Sequence, residues 1–214
     1  MTDKLLALIK AKHSLTGKDD CGFSEVKASG MKFSIKAFDA EGLGHVSVMT
    51  AKGFLGLMKM DTVIVNPTEV DLPLYSYDRI KAFGSDVLIT ELYDTLAEPR
   101  PFEKVRTVLG KYKDLPYRDP GTHWYDGIRL EESISFKGKK ISEKIDQLTE
   151  EYLSALLAED APAEFDRELK QKKTSEYVEG LLEKGGPSTD AFIKAIGKEK
   201  TGLLFRKVLF GTEK

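Results

Sequence analysis

Asp71-Leu72-Pro73-Leu74-Tyr75-Ser76-Tyr77-Asp78 lies between two β-branched, apolar runs, Thr62-Val63-Ile64-Val65 upstream and Asp86-Val87-Leu88-Ile89-Thr90-Glu91-Leu92-Tyr93-Asp94 downstream. Residues of this type fit a pleated, half-buried surface. Tight turns join the runs on either side, whereas parallel neighbours need a connection of about a dozen residues or more. The strands are therefore expected to be antiparallel. This arrangement sets acids inside or beside a sheet core, where an ionised carboxylate is costly unless it is paired or hydrogen-bonded. Asp61 and Asp78 are the residues that most need a chemical reason.

Upstream, Met31 to Ala37 alternates apolar and polar, as a strand with one buried face does. Gly42-Leu43-Gly44 turns into His45-Val46-Ser47-Val48-Met49-Thr50, and Ala51-Lys52-Gly53 is read as the next turn. Phe54 to Val65 then forms a long strand in which Gly56 marks a bulge or bend. Gly17 to Gly30 is small and polar and reads as a loop or irregular edge. A short helix from about Thr2 to Lys12 carries an apolar stripe of Leu5, Leu8 and Ile9.

Downstream, Gly84-Ser85 turns into a strand with apolar residues on both faces, Val87, Ile89 and Tyr93 against Leu88 and Leu92. Such a strand is central and covered on both sides. Helical spacing over Phe102 to Tyr112, with Pro99 and Pro101 before it, supplies one covering helix. Gly127 to Phe136 reads as a further strand containing Glu132. Beyond Gly138 the period switches: Ile141, Ile145, Leu148, Tyr152 and Leu156 form a stripe, and helices are expected over Phe165 to Leu182, Asp190 to Ile196 and Lys198 to Phe210. Strands followed by helices, without βαβ alternation, give an α+β fold: a single domain over residues 1–214, an α/β/α sandwich with a central antiparallel sheet flanked by helices.

The chain has 214 residues, a net charge of −2 and 41% hydrophobic residues. That balance gives no global case for nucleic acid or a membrane as partner. The lone Cys21 excludes an internal disulfide and suits a reducing compartment, and His13, His45 and His123 lack metal-ligand spacing. Leu5 to Ile9 is too short for a signal segment, so a cytoplasmic location is expected. A P-loop, a G-x-S-x-G elbow, H-E-x-x-H and C-x-x-C are all missing. Gly42-x-Gly44 lacks a third glycine and reads as a turn. His45 reads as a strand histidine, packed or solvated. Trp124, between His123 and Tyr125, is either an aromatic platform for a flat ligand or a loop aromatic folded over the core.

The pattern D-L-P-x-x-x-x-D over Asp71 to Asp78, with the strand-end Asp94 after it, resembles the ferredoxin-dependent bilin reductases and red chlorophyll catabolite reductase. Leu115-Pro116 followed by His123-Trp124 is similar to that family's L-P…W segment. Phe192 to Gly197 with Val208-Leu209-Phe210 is similar to its closing F-G…V-L-F. The resemblance spans about Ala51 to Phe210. It implies an α/β/α sandwich holding an open-chain tetrapyrrole between the sheet and the C-terminal helices. No bound flavin, nicotinamide or metal is implied, and an external ferredoxin supplies single electrons.

On that resemblance Asp78 is the principal proton donor, Asp61 stands where some members have a catalytic histidine, and Met49 and Trp124 contact substrate. Any paired proton donor, with Asp61 as the second, would then be a carboxylate dyad. Gly185-Gly186-Pro187-Ser188 replaces an N-D-K-T-like segment and loses its acid. The basic end, Lys194, Lys198, Lys200, Arg206, Lys207 and Lys214, is either a face that steers an acidic ferredoxin or an ordinary solvated helix face. Two other classes stand beside the reductase: a non-catalytic tetrapyrrole-binding protein, and an interaction domain with a collapsed pocket.

Overall fold

The computed structural model describes residues 1–162, 164–186 and 188–213. Pro187 of the glycine-rich segment and Lys214 of the basic end lie outside them. Helix α1 (Thr2–Lys10) precedes the strands β1 (Leu15–Gly17), β2 (Glu25–Ala28), β3 (Met31–Ala40), β4 (Gly44–Gly53), β5 (Met58–Pro67), β6 (Leu74–Ala82) and β7 (Ser85–Tyr93). Helix α2 (Glu103–Gly110), strand β8 (Ile134–Gly138) and helices α3 (Ser142–Leu156), α4 (Arg167–Lys184), α5 (Thr189–Ile196) and α6 (Lys198–Leu203) follow, with a π-helical segment over Leu204–Leu209. The strands form one antiparallel sheet in the order β1-β3-β4-β5-β6-β7-β8, and β2 pairs with β3 beyond β1. The fold is the α+β sandwich expected from the strand and helix patterns.

Helices cover both faces because the central strands are apolar on both. Val63, Val65, Tyr75, Tyr77, Leu88 and Leu92 pack against α1, α2 and α3. Met49, Met60, Ile64, Leu74 and Tyr93, one residue out of phase, pack against α4, α5 and the C-terminal segment. The helix stripe reads out directly: Ile145, Leu148, Tyr152 and Leu156 of α3 are all buried. Asp166 caps α4 by accepting the Leu169 amide at 2.9 Å, a bond that satisfies one of the unpaired first-turn donors.

Buried ions lock the layers together. Arg79 on β6 donates from Nε and Nη2 to Asp86 at 2.9 and 2.7 Å and from Nη2 to the Ser142 carbonyl at 3.1 Å. It also pairs with Asp146 of α3. Asp71 is fully buried, accepts the Ala97 amide at 2.9 Å and pairs with Arg100 and with Lys170 of α4. The first acid of the D-L-P stretch thus ties the loop after β7 to the opposite helix layer.

Four details differ from the sequence reading. Gly17 to Gly30 is not merely a loop: β1 and β2 are short and weakly apolar, and they gain their ladder from β3 rather than from any local pattern. The turn after β4 is Phe54 to Leu57 instead of Ala51 to Gly53, with positive φ at Phe54, Leu55 and Gly56. Apolar residues in a turn hid it, since turns are normally read from polar and glycine signals. Gly127 to Phe136 is not one strand; Asp126–Ile128 is a 3-10 turn, and β8 begins at Ile134. Glu132 is buried there by a 2.7 Å bond from Arg106 Nε, off the sheet. The last helix splits into α6 and the π-helical turn. Among the described residues, no helix is long and apolar enough to cross a membrane.

Candidate functional site

Antiparallel register aligns Met49 of β4, Thr62 of β5, Asp78 of β6 and Ile89 of β7 in one row across the sheet. Residues directly opposite one another share a face. This row faces α4 and α5, and a cavity opens above it. The outer part, about 730 Å³, is bounded by Met60, Asp78, Glu91, Trp124, Lys184 and Phe192 among others. An inner recess of about 80 Å³ continues from it beneath Tyr177 and Phe205 and is lined by Met49 and Thr62. Asp78, Glu91 and Tyr125 line both parts. A space of this size and apolar character is that of a small-molecule site.

Asp78 is a buried acid at the floor of the cavity. Burial raises its carboxyl pKa to about 6, a hydrogen bond from Thr62 works against that rise, and the charge of Glu91 adds to it. Thr62 Oγ1 donates to Asp78 Oδ1 at 2.5 Å. A carboxyl in this state carries its proton in mildly acidic solution and is partly protonated near neutrality, the condition a general acid needs. Glu91 stands diagonally from Asp78, since Ser76 pairs with Glu91 and Asp78 with Ile89. It accepts from Tyr93 Oη at 2.5 Å and from Arg129 Nη1 at 3.3 Å.

Asp61 is elsewhere. Thr62, not Asp61, lies opposite Asp78, so Asp61 points to the α1 face and stands opposite Arg79. It is paired there with the α-amino group of Met1 at 3.3 Å, with its side chain 31% exposed. Asp61 and Asp78 therefore occupy opposite faces of the sheet, and the dyad expected from the resemblance does not form. The physical reason is the period of two: one residue along a strand changes the face.

Trp124 lies at the cavity mouth and is 37% exposed. Its Nε1 donates to the Gly185 carbonyl at 2.9 Å, and Lys184 Nζ lies 5.0 Å from the ring centre. Gly180 makes this possible, because a Cβ there would stand 2.2 Å from a ring carbon of Trp124. Tyr93, Tyr125 and Tyr177 extend the aromatic wall, with Tyr93 and Tyr177 4.3 Å apart between centroids. His123 stacks on Tyr125 at 4.9 Å. Met49 lines the inner recess, and Gly185, Gly186 and Ser188 edge the outer part.

His45 stands apart from the cavity, buried at 3% exposure, with Nε2 2.9 Å from the Val208 carbonyl. Ser47 Oγ donates to the Leu209 carbonyl at 2.7 Å and Asn66 Nδ2 to the Phe210 carbonyl at 2.8 Å. These three strand side chains hold successive carbonyls where the π-helical turn ends, groups a helix terminus leaves unpaired. Burial pushes the His45 imidazole down to about 4, so it is neutral at pH 7.

Thr62 and Glu91 were not singled out in the sequence. Glu91 alternates with Ile89 and Tyr93 within the quoted run, so its face was readable from parity. Thr62 required the position of the β4–β5 turn, which the apolar tip concealed.

No family model matches the chain, and no curated protein matches it by sequence. Its backbone is similar to that in the crystal structure of phytochromobilin synthase from tomato in complex with biliverdin. The TM-score is 0.79 at 15% identity, over 99% of this chain and 83% of the other. The two chains share a fold across nearly all of this sequence.

Proposed function

We propose that the chain binds a linear tetrapyrrole in the cavity above Met49, Thr62 and Asp78 and reduces it with single electrons from an external ferredoxin. Asp78 carries this reading: a carboxyl with its pKa raised to about 6, at the floor of an aromatic-walled cavity, in a fold similar to one solved with biliverdin. Reducing one double bond consumes two electrons and two protons. Each electron comes from a ferredoxin, and Asp78 donates a proton to the radical formed by the first. Bulk water reprotonates the carboxylate through the cavity mouth, so that Asp78 also delivers the second proton after the second electron arrives. Water then restores the acid for the next turnover. Apolar walls favour the protonated acid between turnovers, because burial disfavours its charge.

Arg118 and Lys184 border the outer cavity and supply positive charge to the propionates of such a ligand. Lys194, Lys198 and Lys200 are exposed on α5 and α6 and form the face offered to an acidic ferredoxin. Arg206 contributes less, being held by Glu179 at 2.6 and 2.7 Å.

A second reading has its own observation. With Asp61 on the other face, Glu91 is the second acid beside Asp78, and it is engaged by Arg129 and Tyr93. A site with one free acid also suits a protein that binds a tetrapyrrole without reducing it.

The test is an absorption titration with biliverdin, followed by anaerobic addition of a ferredoxin reducing system to native protein and to Asp78→Asn. Stepwise bleaching by the native protein, with binding but no bleaching by the variant, supports the reductase. A bound spectrum that never bleaches supports the carrier. Bleaching by Asp78→Asn at the native rate removes Asp78 from the mechanism.

A further inference from the structure

Five lysines stand directly opposite one another across five strands: Lys27 faces Lys32, Lys32 faces Lys52, Lys52 faces Lys59 and Lys59 faces Lys81. All are exposed. Strands lie about 4.7–4.9 Å apart, so this is a ladder of like charges at close spacing, an arrangement that destabilises a sheet. Little relieves it. Glu25 pairs with Lys32 at 2.5 Å, and Asp86, already bound by Arg79, is 3.9 Å from Lys81.

Past this row, at the same end of the sheet, stand exposed apolar tips. Phe54, Leu55 and Leu57 are 54, 105 and 61% exposed, and Phe83 in the next turn is 72% exposed. Met58 lies opposite Ala82, which sets Leu57 beside Phe83. Phe54, Leu55 and Phe83 hold φ of 52°, 56° and 49°, a left-handed conformation that is unfavourable for bulky residues. At about 3.4 Å per residue, the tips stand roughly 5–10 Å beyond the lysine Cα line.

We propose that this end of the sheet docks on an anionic lipid surface, with Phe54, Leu55, Leu57 and Phe83 entering the headgroup–acyl boundary and the lysine row lying among the headgroups. Charge complementarity and depth both select that partner. Apolar groups of interfacial elements bury about 5–10 Å deep, the distance by which these tips lead the lysines. Basic residues near an anionic leaflet add attraction one by one, which removes the mutual repulsion of the row. A bilayer also accepts a convex, discontinuous tip, whereas a protein partner must present a matching hollow. The contact is peripheral and independent of the cavity. The expectation of no membrane partner rested on a net charge near zero, a sum in which a local row is invisible.

Vesicle co-sedimentation tests this with the full chain and two kinds of vesicle, phosphatidylcholine alone and phosphatidylcholine with roughly 30% phosphatidylserine. Binding to the anionic vesicles only is expected, with release as salt screens the attraction. Lys52→Ala/Lys59→Ala should weaken partitioning roughly 30-fold, and Leu55→Ser/Phe83→Ser should weaken it without changing its salt dependence. Both pairs are at exposed positions outside the cores, and an unchanged thermal midpoint checks that each variant folds. Leu55→Trp gives a second readout, a blue-shifted emission on anionic vesicles. Equal sedimentation with neutral vesicles, no sedimentation with either, or binding unaffected by both double variants overturns the proposal. Retention by an acidic protein through Lys52 and Lys59 without vesicle binding overturns it in favour of a protein partner.

Discussion

Replacing Asp78 with asparagine should make the protein more stable, and by an amount that depends on pH. The carboxyl has its ordinary pKa of 3.8 in the unfolded chain and about 6 in the folded one. The folded state therefore holds the proton more tightly. The stabilisation from the neutral acid is complete below pH 3.8 and is lost as pH rises through about 6. Above that, folding has to carry a buried charge. Linkage over this interval gives a penalty that is small at pH 4, about 1–2 kcal/mol at pH 5 and about 3 kcal/mol at pH 8. Water entering the cavity lowers the upper figure. Asparagine keeps an oxygen for the Thr62 hydroxyl and has no charge to bury. Urea unfolding of both proteins at pH 4, 5 and 8 should show the variant gaining up to about 3 kcal/mol at pH 8, or roughly 6–12 °C in Tm, and little at pH 4. An Asp78→Asn protein equal to or less stable than the native one at pH 8, or a gain independent of pH, would refute the account of a carboxyl strained by burial. Stability sacrificed in this way at a cavity floor is the pattern of a functional acid.

Thr62→Val removes the hydrogen bond that opposes the rise, so the Asp78 pKa should move higher still; carboxyl-carbon NMR through a pH titration reads it, and a downward move would contradict the geometry. His45 has the opposite sign. Its pKa falls from 6.5 to about 4 on folding, so the stability tied to the neutral ring is present above pH 6.5 and is lost as pH falls toward 4, up to about 3 kcal/mol. His45→Gln should flatten the urea-midpoint profile between pH 7 and 4.5, and an unchanged slope would remove His45 as its source. Gly180→Ala should displace Trp124, whose ring carbon would lie 2.2 Å from the new methyl. As Trp124 is the single tryptophan, its emission should shift red, and an unshifted spectrum would mean that α4 yields instead.

The antiparallel sheet, the helices over both faces and the cost of burying Asp78 were legible because each leaves a local trace. Alternation marks Met31 to Ala37, two-sided apolarity marks Val87 to Tyr93, and a stripe every three to four residues marks Ile145 to Leu156. An acid beside a β-branched strand is visible as an expense wherever the chain goes. Composition, too, correctly set aside an internal disulfide, since one cysteine cannot pair with itself. These features depend on neighbours a few residues away.

Which side chains meet was decided by tertiary structure, because pairing register is set by turns and by the far strand. A turn misplaced from Phe54–Leu57 to Ala51–Gly53 loses the row of Met49, Thr62 and Asp78. A single residue of offset sends Asp61 to the face opposite Asp78. The same register turns five scattered lysines into one line. Side chains on a strand alternate with a period of two, so an error of one residue reverses every contact, and no local pattern can correct it.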